Sequence, residues 1–456
     1  MRQELAALVA TASPGTRLPA TRELQRRFRV GPATVHRAVA ELASKGLLRT
    51  QPGSGTFVSP RAPLAPSRSG DFDWQTLALG PALYGGEAVE ANLDLPAAGM
   101  TALSTGYLDE QLQPIGLLAR ASARAARRPG AWSRPPLSGV DELRDIFARE
   151  LGGDVERRHV LITAGSQPAL ASCFRSLAQP GATVVVESPT YQGALAAARA
   201  AGLVPLGVPA DRAGIRVDLL SKALEKSGAR LVYLQPRWLN PTGAQLSADR
   251  REALLELVKA SQVFVIEDDP SLDLELEGRS FRPLVSADED GHFIYLRSLT
   301  KGVAPALRIA ALVSRGPVSR RLRQAQGVQS AFVSTVLQHT ACEVLTAPEW
   351  PRHLGQVRQA LRERRDTLVE SLATFLPDWR VPEVPGCGLH LWVELPADAD
   401  EDHLVSQSAR AGVRVTAGRH YYPAEPAGPH LRLTFAAASS TTISEAVVAT
   451  ARVIGT

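Results

Sequence analysis

From about residue 92 onward, short apolar runs alternate with longer amphipathic stretches. The runs are nearly continuously apolar and cover residues 183–187, 231–234, 263–266 and 293–296. Strands buried on both faces have this pattern, and the stretches between them, such as 168–177 and 248–259, have helical lengths. The alternation predicts an α/β domain with a mostly parallel sheet. A helical region over 320–376, followed by apolar segments at 389–395 and 431–435, predicts a smaller C-terminal α/β part within 318–456.

The first 58 residues follow a different pattern. Val35, Ala38, Val39 and Leu42 recur at helical spacing, so one face of this helix is expected to pack inward. A shorter helix from Arg22 precedes it across a tight turn, and residues 49–58 form two short segments around glycines. Two helices across a turn, followed by a two-stranded wing, predict a small α+β winged helix-turn-helix over 1–58.

Pro, Ser, Gly and Ala dominate the start of residues 59–91, which predicts a linker. Residues 92–456 then form the predicted second domain. Charge separates the two parts, because residues 1–58 hold nine Lys and Arg against three Asp and Glu, whereas the whole chain holds 51 against 46. This excess fits a nucleic-acid footprint, although charge alone equally fits a solvated basic terminus.

Composition also argues against several classes of protein. No apolar run reaches about 18 residues, and the N-terminus lacks the layout of a signal peptide, so we expect no membrane partner. Cys173, Cys342 and Cys387 show no paired spacing. We therefore expect neither disulfides nor a metal site, and a cytoplasmic location.

The strongest chemical candidate is Lys301, which follows an apolar run and precedes Arg308 by seven residues. A desolvated lysine beside another cation has a lowered pKa and can form a Schiff base. Asp268 follows the preceding apolar run, where a carboxylate can keep a pyridinium nitrogen protonated. Asn240 can hydrogen-bond a ring oxygen, and Tyr191 can stack on a ring. Taken singly, each residue fits a turn, cap or core position better.

Gly165, Ser166 and Gln167 lie between an apolar run and a predicted helix. The free N–H groups of a helix N-terminus bind phosphate, so this junction is a candidate phosphate site.

The head resembles the winged-helix domain of the GntR superfamily. The resemblance is carried by Leu18-Pro19, Arg22-Glu23-Leu24, Thr34-Val35, Ala38 and the string Gly53–Val58. It implies that the protein binds an operator in double-stranded DNA. The residues expected at the DNA are those that match the motif or lie on the outer helix face: Arg22, Thr34, His36, Arg37, Arg49, Gly53, Ser54 and Gly55. A basic helical domain that binds protein is the alternative.

Residues 92–450 resemble the fold-type-I aminotransferases, which use pyridoxal 5′-phosphate. By position, Lys301 matches the lysine that forms the aldimine and Asp268 the partner of the pyridine nitrogen. The remaining matches are Asn240 for the ring hydroxyl, Tyr191 for the ring face, and Ser298, Arg308, Gly165, Ser166 and Gln167 for the phosphate. Arg432 matches the arginine that binds the substrate carboxylate. A rim arginine on a terminal strand is the other interpretation of Arg432.

Two positions depart from this family. Pro270 and Ser271 stand where a tyrosine usually hydrogen-bonds the ring oxygen, and Arg134 stands where a tyrosine usually reaches the partner subunit's phosphate. Arg134 can still serve a phosphate. Loss of the first tyrosine is expected to weaken proton handling, so binding is favoured over efficient turnover.

A winged helix joined to such a body resembles the MocR/GabR-type transcription regulators over the full length. The resemblance implies a head-to-tail homodimer that senses an amine or amino acid through aldimine exchange. Two alternatives stay open. One is an active aminotransferase with a vestigial DNA-binding head, and the other is a regulator that has lost its cofactor.

Overall fold

We describe the fold from a computed structural model of the 456-residue chain. The structure describes residues 5, 9, 12, 15–44, 47–51, 54–59, 72–79 and 86–454. The chain divides into two compact units, residues 1–81 and 82–456. Among the described residues, no helix combines the length and the apolar character that crossing a bilayer requires.

The first unit contains two helices, α1 (Thr21–Phe28) and α2 (Pro32–Ser44), followed by strands β1 (Leu48–Gln51) and β2 (Gly55–Val58). Leu24 of α1 packs with Val35, Ala38 and Leu42 of α2 in one small core. The strands pair antiparallel. A further segment joins β2, because the Leu18 N–H donates to the Thr56 carbonyl at 2.8 Å. These contacts form a winged helix.

The predicted linker 59–91 contains two short helices among its described residues, α3 (Asp73–Leu79) and α4 (Glu87–Leu93). They lie on either side of the division between the two units. The predicted limits of the linker and of the two domains stay predictions.

The second unit is built around an eight-stranded sheet. Its strands are β4 (Val160–Thr163), β5 (Thr183–Ser188), β6 (Val204–Asp211), β7 (Gly214–Ile215), β8 (Leu231–Leu234), β9 (Phe264–Asp269), β10 (Phe293–Ser298) and β11 (Ala310–Val313). The order is β4-β11-β10-β9-β8-β5-β6-β7. The pairs from β10 to β6 are parallel, whereas β11 and β7 are antiparallel to their neighbours.

Both faces of this sheet are buried. Successive residues of β5 alternate between two cores, with Val185 on one side and Val184 and Val186 on the other. Helices cover these faces and the sheet's edges: α5 (Ile115–Ala125), α6 (Asp141–Leu151), α7 (Ser166–Leu177), α8 (Gln192–Ala200), α9 (Val217–Ser227), α10 (Ala248–Ser261), α11 (Pro317–Gln329) and α12 (Thr335–Leu345). A strand buried on both faces needs a continuous apolar sequence, and this requirement explains why the apolar runs predict the strands.

The C-terminal part has its own core. Its three-stranded sheet has the order β12 (His390–Glu394), β15 (His430–Thr434), β14 (Thr416–Ala417). Two further two-residue strands, β3 (Thr101–Ala102) and β13 (Val413–Arg414), pair with each other. The helices here are α13 (Trp350–Phe375), α14 (Glu401–Arg410) and α15 (Ser440–Ile454). The predicted fold class, a winged helix followed by a mostly parallel α/β body, is confirmed.

Candidate cofactor and effector site

A cavity of about 520 Å³ lies at the carboxyl ends of β8, β9 and β10. Parallel strands end together at one edge of a sheet, and α/β folds bind their ligands at this edge. Eight of the residues predicted for the site line this cavity: Ser166, Gln167, Tyr191, Asn240, Asp268, Lys301, Arg308 and Arg432. Segments far apart in sequence therefore meet at one site.

Lys301 lies in the turn after β10 and is partly buried. Its Nζ donates to the Gly106 carbonyl at 2.6 Å and lies 4.0 Å from the centroid of the Tyr107 ring. Burial, followed by the charges of Arg432 and Arg308, lowers the pKa of this amine from 10.5 to about 7, and the charge of Asp268 opposes them. Much of the amine is therefore uncharged and nucleophilic near neutral pH.

Asp268 is buried at the end of β9. Its Oδ2 accepts hydrogen bonds from the Tyr233 hydroxyl at 2.7 Å and from Gln235 Nε2 at 2.9 Å. Its Oδ1 is buried and has no hydrogen-bond partner. Burial raises the pKa of this carboxyl to about 6, although the two donors lower it. A carboxylate oxygen without a partner, in a cavity wall, is suited to a ligand N–H.

The neighbouring acidic residues of β9 are occupied elsewhere. Glu267 Oε1 accepts from the Leu284 N–H at 2.7 Å, and Asp269 forms a buried ion pair with Arg237 at 2.7 Å. Asp268 is thus the member of this acidic triplet that lines the cavity.

The N-terminus of α7 forms one end of the cavity. Gly165 precedes the helix with φ +100°, and a Cβ on it would lie 2.6 Å from Nη2 of Arg308. Arg308 Nη2 also donates to the Ala164 carbonyl at 3.1 Å. A guanidinium held beside free helix N–H groups makes an anion site.

Ser298 does not belong to the described lining of the cavity. It is buried, and its Oγ accepts from the Thr300 N–H at 3.2 Å. Thr300 does line the cavity, and its buried hydroxyl has no hydrogen-bond partner. The structure therefore adds Thr300 to the candidate residues of the cavity. A direct contact between Ser298 and the phosphate stays a prediction.

Arg432 lies on β15 and is buried. Its Nη2 donates to the Ser104 carbonyl, and its Nη1 lies 3.4 Å from Oδ1 of Asn240. Its Nε has no hydrogen-bond partner. Arg432 thus faces the cavity rather than its rim and has one N–H donor free.

Tyr191 lies at the start of α8, and its hydroxyl donates to Gln167 Oε1 at 3.1 Å.

Other lining residues gave no signal in the sequence. The rings of Trp238 and His390 stack at 5.5 Å with an interplanar angle of 3°. Burial lowers the pKa of His390 well below 6.5, and Arg432 and Lys301 lower it further, so the imidazole is neutral at pH 7. Val89, Asn92 and Leu93 of α4 also line the cavity. Nothing local links these residues to the motifs around Lys301.

Both departures from the aminotransferase pattern are visible in the structure. Pro270 and Ser271 line the cavity where a tyrosine was expected, and the buried Ser271 hydroxyl has no hydrogen-bond partner. Arg134 is exposed and lies outside the described lining of this cavity. Binding of a phosphate in a partner subunit by Arg134 stays a prediction.

Most of the residues that are predicted to contact DNA are exposed on the winged helix. The exposed residues among them are Arg22, Thr34, His36, Arg37, Arg49 and Ser54. Gly55 is half-buried, and a Cβ on it would lie 2.7 Å from Nε of Arg17. Gly53 lies outside the described residues. An exposed polar face on α2, followed by a wing that carries Arg49, is the form that helix-turn-helix DNA contacts take.

One group of potential metal ligands occurs among the described residues. Ligand atoms of Glu142, His339 and Cys342 lie within 4.8 Å of one another. Arg128 already provides a cation here, because its Nη1 lies 2.6 Å from Glu142 and 2.9 Å from Nδ1 of His339. The group is an arginine-centred ion-pair cluster.

The comparisons with known proteins agree with this geometry. Residues 99–449 match the model for aminotransferase class I and II. The chain belongs to that family. Residues 3–58 match the model for bacterial regulatory proteins of the gntR family. The protein is thus a GntR-type winged helix fused to an aminotransferase-like domain, as the resemblance to MocR-type regulators implied.

Relatives with the same organisation extend over nearly the whole chain. The chain is 30% identical to the vitamin B6 salvage pathway transcriptional repressor PtsJ of Salmonella typhimurium, over 94% of this chain and 91% of PtsJ. It is also 30% identical to the HTH-type transcriptional regulator YisV of Bacillus subtilis, over 89% and 85%. Among solved structures, LysN, the α-aminoadipate aminotransferase of Thermus thermophilus, aligns with a TM-score of 0.75 and 27% identity, over 81% of this chain and 97% of LysN.

The family and its solved members identify pyridoxal phosphate as the cofactor of this domain. The residues present fit it. The free Oδ1 of Asp268 is suited to the pyridinium nitrogen, the Gly165–Arg308 corner to the phosphate, and the Lys301 amine to the aldehyde.

Proposed function

We propose that this protein is a cytoplasmic transcription regulator that binds DNA through its winged helix and senses an amine or amino acid at the cavity. The observation that carries the proposal is the partly buried Lys301 amine, whose pKa is lowered to about 7 and which shares one cavity with the free oxygen of Asp268 and with Arg432. Strongly perturbed pKa values cluster at functional sites.

Each residue has a distinct part in the proposed site. When bound, pyridoxal phosphate supplies an aldehyde that condenses with primary amines. Arg308 and the α7 N-terminus would hold the phosphate, and Asp268 would keep the ring nitrogen protonated. Asn240 uses its amide N–H₂ for the ring oxygen, because its Oδ1 faces Arg432. Lys301 would hold the cofactor's aldehyde through its amine, and the primary amine of an effector would compete with the Lys301 amine for that aldehyde.

Arg432 is the proposed anchor for an effector carboxylate. Its guanidinium is fixed by Ser104 and Asn240 and keeps its Nε–H free. A prearranged guanidinium binds a carboxylate with little loss of side-chain freedom. The effector class favoured by this residue is therefore an amino acid rather than a simple amine.

Efficient turnover is not favoured. Ser271 stands where a tyrosine usually donates to the cofactor's ring oxygen, and a serine hydroxyl is far less acidic than a phenol and lies on a shorter side chain. An exchange of amines at Lys301 can then proceed while repeated proton transfer is slow. The retained Lys301, Asp268 and Arg432 still support an active aminotransferase as a second candidate, which multiple-turnover amino transfer to a keto acid would establish.

A homodimer that presents two winged helices to paired half-sites completes the proposal. Helix-turn-helix dimers bind sites about one helical turn, or a multiple of it, apart. An effector alters DNA binding only if it has different affinities for two states of the protein.

Cofactor absorbance during titration with L-amino acids tests this scheme. We expect the wild type to show an absorbance change that saturates with amino acid, and Lys301→Ala to lose the lysine-dependent band before any amine is added. Lys259→Ala is the matched control, because Lys259 is 71% exposed and paired with Asp290.

Two results would contradict the scheme. If the spectra of the wild type and Lys301→Ala respond identically, Lys301 is not the residue exchanged. If the purified protein takes up no cofactor, the body is a scaffold. Should DNA binding respond to pyridoxal phosphate alone, the cofactor itself is the signal, which is of interest because PtsJ is named for vitamin B6 salvage.

A further inference from the structure

Gln235 directly follows β8 and lies between two residues that the proposed site assigns to different parts of the cofactor ring. It lines the cavity and is 2% exposed. Its Nε2 donates to Oδ2 of Asp268 at 2.9 Å, and its Oε1 accepts from the backbone N–H of Asn240 at 3.1 Å. One side-chain amide therefore connects the carboxylate for the ring nitrogen with the turn that carries the amide for the ring oxygen.

The chemistry of the two neighbours fixes the orientation of this amide. A backbone N–H only donates, so it faces the amide oxygen, and an ionised carboxylate only accepts, so it faces the amide nitrogen. The Tyr233 hydroxyl donates to the same Oδ2 of Asp268 at 2.7 Å. Both donors thus stabilise the charge of Asp268 on one oxygen, and its Oδ1 stays available to a ligand.

The backbone of Gln235 is anchored independently of its side chain. Its N–H donates to Oε2 of the buried Glu187 in β5 at 2.7 Å. The carbonyl of the next residue, Pro236, accepts from the Leu246 N–H at 2.8 Å. A substitution of the Gln235 side chain therefore removes the two amide bonds and keeps these backbone contacts.

We propose that Gln235 is a positioning residue that keeps Asp268 ionised and aligned for the ring nitrogen and, through the same amide, holds the Asn240 turn for the ring oxygen. The inference rests on the proposed function, which assigns Asp268 and Asn240 to the cofactor. Each hydrogen bond that a buried carboxylate accepts stabilises its charged form. A glutamine suits this place because one planar group supplies both the donor and the acceptor.

Loss of the Gln235 amide has a definite effect on Asp268. Burial raises the pKa of this carboxyl to about 6, and the hydrogen bonds from Tyr233 and Gln235 lower it. Without the Gln235 donor the pKa rises further, so Asp268 becomes neutral at a higher pH. A neutral Asp268 does not stabilise a protonated ring nitrogen, so cofactor affinity falls over the pH range in which this carboxyl takes up its proton.

Other ionisable groups also face Asp268 from the surrounding elements. They are Cys173 on α7, Glu187 on β5, Tyr191 before α8, Tyr233 on β8, Asp269 on β9 and Lys301 after β10. Burial raises the pKa of the thiol and of both phenols, so these groups stay protonated near neutral pH. Glu187 and Lys301 have pKa values of about 8 and about 7. Since both are present in every variant, the ratio of two affinities at one pH cancels most of their effect.

Titration of cofactor-free Gln235→Leu with pyridoxal phosphate at several pH values tests the proposal. Leucine has a volume close to that of glutamine and makes no hydrogen bond through its side chain. Cofactor absorbance gives the dissociation constant of the variant, which is divided by that of the wild type at the same pH. We expect this ratio to rise about fivefold or more as the pH is lowered from about 8.5 to about 5.5. A variant that lost only packing would show one ratio at every pH.

Gln338→Leu is the matched control. Gln338 is 0% exposed, and its amide also bonds two backbone groups, the Val140 N–H at 2.7 Å and the Val333 carbonyl at 2.9 Å. It lies outside the described lining of the cavity. The control is expected to lower the thermal unfolding midpoint of the cofactor-free protein and to keep a ratio that does not change with pH.

Gln235→Glu separates the two bonds of the amide. The introduced carboxyl keeps an oxygen for the Asn240 N–H, and its other oxygen donates to Asp268 only while it is protonated. Two carboxyl groups in contact do not both ionise readily, so the pair retains a proton and one negative charge as the pH falls. We expect the ratio for Gln235→Glu not to rise toward pH 5.5, in contrast to that for Gln235→Leu.

The possible failures are distinguishable. If the ratio for Gln235→Leu does not change with pH, or if Gln338→Leu shows the same change, this inference is overturned while the proposed function stands. If Gln235→Leu does not fold, the ratio for Gln235→Glu decides, and a rise toward pH 5.5 overturns the inference. If Asp268→Asn binds the cofactor as tightly as the wild type, the assignment of Asp268 in the proposed function fails together with this inference.

Discussion

The Lys301 amine is influenced by three charged neighbours that act in opposite directions. Burial is the largest influence and disfavours its protonated form, as do Arg432 and Arg308, whereas Asp268 favours that form. Its pKa of about 7 lies far below that of a lysine in an unfolded chain. This difference makes the stability of the cofactor-free protein depend on pH.

The predicted dependence has a definite sign. Between pH 7 and pH 10 the unfolded chain binds more protons than the folded one at this lysine, so stability rises with pH by at most about 1.4 kcal/mol per unit. Lys301→Met removes this contribution. Urea unfolding of both cofactor-free proteins at several pH values measures it, and the advantage of the variant should shrink as the pH rises. A constant difference would contradict the lowered pKa.

Gly165 permits the close approach of the α7 N-terminus to Arg308. Gly165→Ala adds a Cβ at 2.6 Å from the guanidinium, at φ +100°. We expect at least about tenfold weaker cofactor binding, because a displacement of about 1 Å at a site is enough to impair it.

Gly181→Ala is the control for that variant. Gly181 has φ +86° and no heavy atom within 4 Å of the added Cβ, so it reports the backbone strain alone, about 1 kcal/mol. Spectroscopic titration with pyridoxal phosphate and thermal unfolding separate the two effects. Equal cofactor affinity in both variants would show that the corner does not hold the phosphate.

Site residues that follow a strand could be predicted from the sequence. Site residues that come together only through the tertiary fold could not. Lys301 and Asp268 each come within five residues of the end of an apolar run, so their place at the sheet edge follows from topology. Thr300 and His390 carry no such signal. Trp238 and His390 stack although they belong to distant segments, and no local pattern encodes that contact.

At the scale of elements, buried strands were the most predictable. The run 231–234 coincides with β8, and the other runs agree with their strands to within a few residues. Helix α4 was not predictable, because its segment contains Gly and Ala without a clear apolar period. Its position depends on Arg414 and Thr416, which are more than three hundred residues away.

Helix α2 is expected to enter the major groove. Its exposed face carries Thr34, His36 and Arg37, whereas Val35 and Ala38 are buried. If Arg37 neutralises a phosphate, Arg37→Ala reduces the slope of log affinity against log salt by about 1 and weakens binding at low salt about tenfold. Fluorescence anisotropy with a nonspecific duplex at several salt concentrations measures this slope.

Lys222→Ala controls for the loss of one positive charge, because Lys222 is an exposed residue of α9 in the second unit. This variant should keep the wild-type slope. If both variants lose the same slope, the effect reflects net charge rather than contact by α2.

At the scale of the whole molecule, exposed apolar residues indicate the proposed dimer interface. Trp132 is 82% exposed, Val328 89% and Phe332 44% in the single chain. The segments that bear them are neighbours, since the Thr335 hydroxyl donates to the Ser133 carbonyl at 3.2 Å. Contiguous exposed apolar surface of this kind marks sites of protein interaction.

Val328→Arg should therefore weaken the dimer. We expect the wild type to sediment at twice the 48.7 kDa chain mass and the variant to dissociate at micromolar concentration. Val384→Arg, at a residue 44% exposed in another region, should stay dimeric. A wild-type monomer would refute the proposed dimer.

We propose that chemistry at Lys301 alters DNA binding by the winged helix. The most direct test is the affinity for a duplex spanning the region upstream of the protein's own gene, measured by anisotropy with and without the amino acid that changes cofactor absorbance most. The account predicts a change of about fivefold or more in the wild type, and none in Lys301→Ala loaded with cofactor. An equal change in both proteins, or no change in the wild type although its absorbance responds, would contradict it.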